Sequence, residues 1–203
     1  MHKTILFDLG GVIVPLDFAR GYQAIAAHCA YEPGEIPDRI RESGLVPLFE
    51  KGLIGETDFI VQLSRHLRLD VTETQFRSLW SSIFPSHTLI PASLLEALKR
   101  SYRLVLLSNT NSIHFQMIRE NYSLLGFFDD FVLSYQVGEM KPSPLIYREA
   151  IARAQCSPRE CFFTDDVLVN VEAAREAGID SEEFRSHDQL LDVFDQRGIA
   201  WRG

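Results

Sequence analysis

Four polar clusters, three of them placed where an apolar run ends, hold the chemistry that this sequence can do. Asp8 closes the run Thr4-Ile5-Leu6-Phe7 and is followed by Leu9-Gly10-Gly11. A carboxylate fixed at the end of a buried strand can attack an electrophile, and glycines beside it let backbone groups approach a ligand closely. Taken alone, Asp8 reads equally well as a turn or cap residue. Ser108 closes a second run, Arg103 to Leu107, and precedes Asn109-Thr110. Its hydroxyl and the adjacent backbone N–H groups suit a phosphate, which makes Ser108 and Asn109 candidate anion ligands. Lys141, in Met140-Lys141-Pro142, supplies a positive charge just before a helical pattern, with Pro142 suited to a first turn. Such a lysine neutralises an anion beside Asp8 and holds Asp8 ionised. Asp165-Asp166 closes a third run, Cys161-Phe162-Phe163. Two adjacent carboxylates repel unless a cation joins them, and hard oxygen donors suit Mg²⁺.

The elements that must position these residues follow from the hydrophobic pattern. Short apolar runs at 4–7, 103–107, 131–134 and 161–163 read as buried parallel strands. Amphipathic helical segments at about 91–101, 112–125, 143–155 and 168–177 separate them, and Gly178 is a helix stop. Alternating strand and helix predicts an α/β fold, a Rossmann-like parallel sheet covered on both faces, with ligands at the carboxyl ends of the strands. About 90 residues separate the first two strands, too many for one crossover. Their pattern is helical, at about 17–30, 35–43, 56–68 and 72–83, with breaks at Pro33-Gly34, Gly44 to Pro47 and Gly52 to Gly55. The expected division is therefore a core of residues 1–16 and 85–203 with an inserted helical subdomain at 17–84, a lid over the strand ends. Ile179 to Phe184 occupies a strand position but is polar, which suits a short, exposed edge strand.

The chain has 203 residues, 46% hydrophobic and 24% charged, with a formal net charge of −8. This is the profile of a globular protein, and no basic stripe for gripping nucleic acid is visible. An anionic substrate then needs a local cationic site working against the global charge. No apolar run reaches the length of a membrane span, and the strand pattern begins almost at Met1, so neither a membrane partner nor a leader is expected and the cytoplasm is the default location. Cys29, Cys156 and Cys161 are too few and too widely spaced for a disulfide framework or a zinc site. Buried or half-buried free thiols are expected.

The four clusters, in this order, resemble the signature set of the haloacid dehalogenase superfamily: the aspartate in FDLGGV, the serine in LLSNT, the lysine in GEMKP and the acidic pair in FFTDD. The likeness spans essentially the whole chain. The helical insert resembles that family's small cap, as do Phe49-Glu50-Lys51-Gly52 and Glu56-Thr57-Asp58-Phe59. The pattern is similar to the subgroup of a bacterial glucose-1-phosphate phosphatase and the N-terminal phosphatase domain of soluble epoxide hydrolases. The resemblance implies a Mg²⁺-dependent hydrolase of a small phosphorylated metabolite, in which Asp8 forms an aspartyl-phosphate that water then cleaves. It also implies that Asp8, Asp166, the Gly10 carbonyl and, through water, Asp165 hold the metal, while Ser108 and Lys141 bind the phosphoryl oxygens.

One position departs from the pattern. Most phosphatases of the family have a second aspartate two residues after the nucleophile, serving as general acid and base, and here that position is Gly10. Esters with good leaving groups, such as anomeric sugar phosphates or aryl phosphates, are therefore expected to be favoured. If unactivated alkyl phosphates are turned over as well, Glu50 and His114 are the candidate acids. The same gap occurs in the dehalogenase branch, where halide leaves without a proton and no Mg²⁺ is used. A 2-haloacid dehalogenase, and an idle relative that only binds a phosphorylated ligand, therefore stand as alternatives. A phosphonatase-type Schiff base would need Lys51, the one lysine of the insert. Oligomeric state is not legible.

Overall fold

Strand β1, Thr4–Phe7, is the middle of the sheet, and every residue in it is buried. A central parallel strand has helices over both faces, so it carries no polar alternation. The computed structural model describes residues 1–202. In it β1 pairs in parallel with β2 (Arg103–Ser108) on one side and β4 (Cys161–Asp165) on the other, Phe7 standing opposite Leu106 and Thr164. The outer strands are β3 (Asp130–Leu133) beside β2 and β5 (Asp180–Glu183) beside β4, giving the order β3-β2-β1-β4-β5, all parallel.

Alternate residues of each strand enter different cores. Ile5, Phe7, Leu104, Leu106 and Phe162 face one side, with Leu94, Ile118 and Phe194 packed onto them. These three come from α6 (Ala92–Lys99), α7 (Ser112–Asn121) and α11 (His187–Gln196). Leu6, Val105, Leu107 and Phe163 face the other side, against Ile146 and Tyr147 of α9 (Pro144–Ala154) and Ala174 of α10 (Leu168–Glu176).

Between β1 and β2 lie α1 (Phe18–Ala26), α2 (Ile36–Ser43), α3 (Leu45–Glu50), α4 (Glu56–Leu67) and α5 (Glu73–Trp80). They have a core of their own, centred on Phe59, which stacks on Phe49 at 4.1 Å between ring centroids and meets Trp80 edge-on at 5.1 Å. The neck of the insert is narrow: the Asp17 N–H donates to the Ile83 carbonyl at 2.7 Å, and the Asp17 carboxylate caps α1.

Three expectations need correction. Gly44 to Pro47 is not a simple break, because α3 starts at Leu45. Gly44, in the left-handed region at φ 65°, ends α2 and opens α3, and Pro47 lies in a first turn whose N–H groups have no helical partners anyway. Pro142 lies outside α9; Pro144 fills that helix's first turn, after Ser143 as cap. Ser134 does not extend β3 but starts a short helix, α8 (Ser134–Val137). The polar segment 180–183 is the edge strand expected, although it is less exposed than expected. Ser181 is buried, and the Arg197 guanidinium covers Asp180 and Glu182 at 3.1 and 2.7 Å.

Candidate active site

The carboxyl ends of β1, β2 and β4 bring Asp8, Ser108 and Asp165 together, because the three strands are adjacent, parallel and in register. Lys141, at the turn before α9, reaches the same point and is 4% exposed. Its ammonium group donates to Asp8 Oδ1 at 2.9 Å, to Asp165 Oδ2 at 2.5 Å and to the Leu107 carbonyl at 3.0 Å. Burial alone would lower the lysine pKa, but the two carboxylates outweigh it and hold the pKa above its usual value. Lys141 is thus a fixed cation.

Asp8 has two differently used oxygens. Oδ1 accepts from Lys141 and from the Leu9 N–H at 2.7 Å, while Oδ2 has no partner among the described residues. Burial pushes the Asp8 pKa up to about 7, even against the pull of Lys141, and the charge of Asp165 adds to the rise. Asp166 is exposed, and its pKa is also raised, by desolvation and then by Asp165. Oxygens of Asp8, Asp165 and Asp166 lie within 4.8 Å of one another. One ammonium group faces three carboxylates here, so the electrostatics are completed by a hard divalent cation, and the donor set is all oxygen. The site therefore fits magnesium.

Asp165 is less available to a metal than its neighbour. Its oxygens accept from Lys141, from the Val167 N–H at 2.8 Å and from the Asn170 side-chain amide at 3.1 Å. It braces Lys141. Asn170 was not foreseen; five residues after Asp165 and buried, its only sequence signal was a polar residue in the first turn of α10. Gly11 was foreseen only as part of a turn. At φ 77° a Cβ there would overlap the Asp166 carboxylate, so glycine opens the space that Asp166 occupies. A Cβ at Gly10 would come within 3.0 Å of Leu16 Cδ1, so a leucine fills the space beside the position where the expected second carboxylate is missing.

Ser108 is buried at the end of β2 with only a long 3.4 Å contact from its hydroxyl to the Asn109 carbonyl, which leaves the hydroxyl available. The Asn109 side chain is spent. Its amide donates to the Lys141 carbonyl at 2.9 Å and its Oδ1 accepts from the Lys141 N–H at 2.7 Å. Asn109 thus holds Lys141 in place, and what it can offer an anion comes from its backbone. Ser134 does similar service for the same loop, exchanging hydrogen bonds with the Thr110 N–H and carbonyl.

Beside the site lies a cavity of about 450 Å³, lined by Gly10, Ser108 and Asn109 of the strand ends and by residues of α1, α2, α3 and Trp80 of the insert. Both suggested acids line it, with different fates. His114 cannot give a proton: Nε2 donates to the Trp80 carbonyl at 3.0 Å and Nδ1 accepts from Asn111 at 3.1 Å. Burial lowers its pKa to about 4, so the ring is neutral. Glu50 is free of partners among the described residues, and desolvation raises its pKa to about 7. Lys51 is turned away onto Glu139 at 3.3 Å and does not line the cavity, which removes the structural basis for a Schiff base.

Comparison with known proteins agrees with this geometry. The sequence profile described as haloacid dehalogenase-like hydrolase matches residues 2–178. The chain belongs to the haloacid dehalogenase-like hydrolases. It is 29% identical over 187 residues to a D-ribitol-5-phosphate phosphatase of Bacteroides thetaiotaomicron, covering 89% of this chain and 91% of that protein. It is also 29% identical to the sesquiterpene phosphatase astK of Aspergillus oryzae, over 87% of each chain. A family enzyme of B. thetaiotaomicron crystallised with magnesium and inorganic phosphate superposes with a TM-score of 0.83, at 28% identity over 96% of this chain and all of that one. The chain is thus a hydrolase with phosphatase relatives, and its parallel-sheet fold is that of the family. Among the described residues no helix is long and apolar enough to cross a membrane, and all three cysteines are free thiols.

Proposed function

We propose that this protein is a magnesium-dependent phosphomonoesterase with Asp8 as its covalent nucleophile. The observation that carries the reading is the meeting of Asp8, Asp165 and Asp166 at the ends of adjacent strands, with the buried ammonium of Lys141 paired to the first two. A carboxylate can attack an anionic ester only where positive charge is fixed in advance. Lys141 supplies part of that charge, and Asp8, Asp166, the Gly10 carbonyl and, through water, Asp165 would hold the cation. Magnesium, when bound, screens the phosphoryl oxygens and keeps Asp8 ionised.

In this reading the unpartnered Oδ2 of Asp8 attacks phosphorus while Oδ1 stays locked by Leu9 and Lys141. The Ser108 hydroxyl, the Asn109 backbone N–H and Lys141 hold the phosphoryl oxygens. The alcohol leaves, and water cleaves the resulting aspartyl-phosphate. Residues 17–84 act as a cap over the core of residues 1–16 and 85–203, and the cavity beneath the cap receives the alcohol.

The lining of that cavity narrows the substrate. Leu16, Tyr22, Ile25, Trp80, Ile83 and Phe84 make most of its wall apolar or aromatic, with Arg41 and Glu50 as the charged groups. An alcohol with a large apolar or aromatic part fills such a wall better than a bare polyol such as a sugar. The relatives' own names run from a polyol phosphate to a terpene phosphate, so the wall, more than any relative, supports this choice.

The test is phosphate release from p-nitrophenyl phosphate and from a panel of sugar, aryl and prenyl phosphates, with and without Mg²⁺, beside an Asp8→Asn control. Mg²⁺-dependent release that disappears in the variant is the expected result. A protein inactive on all esters, but able to release chloride from 2-chloropropionate without metal, would sink the reading in favour of a dehalogenase, the reaction for which Gly10 needs no replacement.

A further inference from the structure

We propose that Glu50 is the general acid and then the general base of this reaction, acting from the insert side of the cavity in place of the carboxylate that Gly10 lacks. The inference rests on the phosphatase reading above.

Glu50 is the last residue of α3, and the helix turns a cavity face and a core face to different surroundings. Val46, Pro47 and Glu50, spaced i, i+1 and i+4, line the cavity, whereas Leu45 and Phe49 are buried in the core of the insert. The carboxyl group is therefore directed to the side from which the alcohol would be held. Two contacts pin this end of α3 onto the sheet domain. Lys51 pairs with Glu139, two residues before Lys141, and Gly52 lies so close to the Tyr135 carbonyl that a Cβ there would overlap it. Glu50 stands next to both pins.

The groups that share the cavity with Glu50 are Arg41 of α2, Tyr22 of α1, His114 of α7 and the Ser108 to Thr110 turn after β2. Arg41 pairs outward with Asp38 at 2.7 Å, and a guanidinium does not release its proton. His114 has both ring nitrogens committed. Glu50 alone among the acidic and basic side chains of the wall has no partner among the described residues. The apolar wall costs its charged form solvation, which moves its pKa to about 7, where a carboxyl group both gives and takes a proton near neutrality.

The steps balance. Asp8 Oδ2 forms a bond to phosphorus as the bond from phosphorus to the alcohol oxygen breaks, and that oxygen takes the proton of Glu50 and departs as neutral alcohol. Water then attacks the aspartyl-phosphate, and the Glu50 carboxylate takes a proton from it. The bond from phosphorus to Asp8 breaks, which returns the carboxylate and frees phosphate.

Benzyl phosphate and p-nitrophenyl phosphate are similar in size but differ in how far their leaving oxygen needs a proton. In Glu50→Gln, kcat/KM for benzyl phosphate should fall about 10²–10⁴-fold. The kcat/KM of p-nitrophenyl phosphate, which ends with departure of the leaving group and omits the later water attack, should fall in the same preparation by less than about 5-fold, since its phenolate leaves unaided. The ratio within one preparation does not depend on how much of the variant is folded. Tyr22→Phe should leave the ratio unchanged. In the unaltered protein, kcat/KM across ring-substituted phenyl phosphates should change little as the leaving group worsens. Equal losses of kcat/KM on both esters in Glu50→Gln, no loss on either, a ratio that moves with Tyr22→Phe, or a steep fall of kcat/KM across the series would each overturn the role of Glu50. Activity lost with Asp8→Asn would leave the phosphatase reading standing in those cases, while an unaltered protein inactive on both esters would fell both readings.

Discussion

Replacing Lys141 by methionine tests the electrostatics of the site apart from catalysis. Methionine keeps much of the apolar stem but removes the ammonium group that meets Asp8 at 2.9 Å, Asp165 at 2.5 Å and the Leu107 carbonyl at 3.0 Å. Asp165 is 0% and Asp8 8% exposed, so both carboxylates lose their cation where water cannot replace it. Removing one partner of a buried pair costs about 3–5 kcal/mol. For a chain of this size each kcal/mol moves the melting temperature by about 2–4 °C, so the variant should melt roughly 6–20 °C lower in the presence of a chelator. If the unpaired charge is the cause, Asp165→Asn in the same chain removes it, and the double variant should be about 1–3 kcal/mol more stable than the sum of the singles predicts. Urea unfolding of the four proteins at pH 8 in EDTA measures this. A single variant within about 1 kcal/mol of the parent, or a double variant that is simply additive within about 0.5 kcal/mol, would refute the argument.

Three further outcomes are expected. Gly11→Ala forces a side chain into the left-handed region at a cost of about 1–2 kcal/mol and displaces the Asp166 carboxylate. A Mg²⁺ titration of its turnover should show weakened metal dependence beyond what the stability loss explains. Asn109→Ala removes both hydrogen bonds on the Lys141 backbone, about 1–3 kcal/mol of support. It should lower kcat on p-nitrophenyl phosphate roughly 10-fold by loosening that lysine, and unchanged turnover would remove its positioning role. His114 is held at a pKa of about 4 against an ordinary 6.5. Between those values the unfolded chain binds a proton that the folded chain refuses, so its contribution is complete above about pH 6.5 and is lost as pH falls toward 4, by roughly 3 kcal/mol in all. His114→Gln should flatten the urea midpoint between pH 4.5 and 7 relative to the parent, and parallel curves would count against this assignment.

The sequence alone determined the strands and the residues at their ends. Buried parallel strands are continuous apolar runs, and the polar residue closing each run stands at the carboxyl edge of the sheet wherever the strands align. Asp8, Ser108 and the Asp165-Asp166 pair were legible for that reason, and Lys141 because it stands with a proline just before a helical pattern. The helical nature of residues 17–84 was legible from periodicity. Only the tertiary structure decided which polar groups are already spent. Asn109 gives its side chain to Lys141, and His114 gives one ring nitrogen to Trp80, over separations that no local pattern encodes, while its other nitrogen goes to Asn111 in its own first turn. Likewise, the sequence offers Glu50 only as one of two candidate acids, with nothing to place its side chain. Glu50 became a cavity residue only because α3 forms after Gly44 and its end is pinned to the sheet domain by Lys51 and Gly52. Strand ends are set by short-range pattern, whereas the protonation and freedom of a side chain depend on what packs around it from distant parts of the chain.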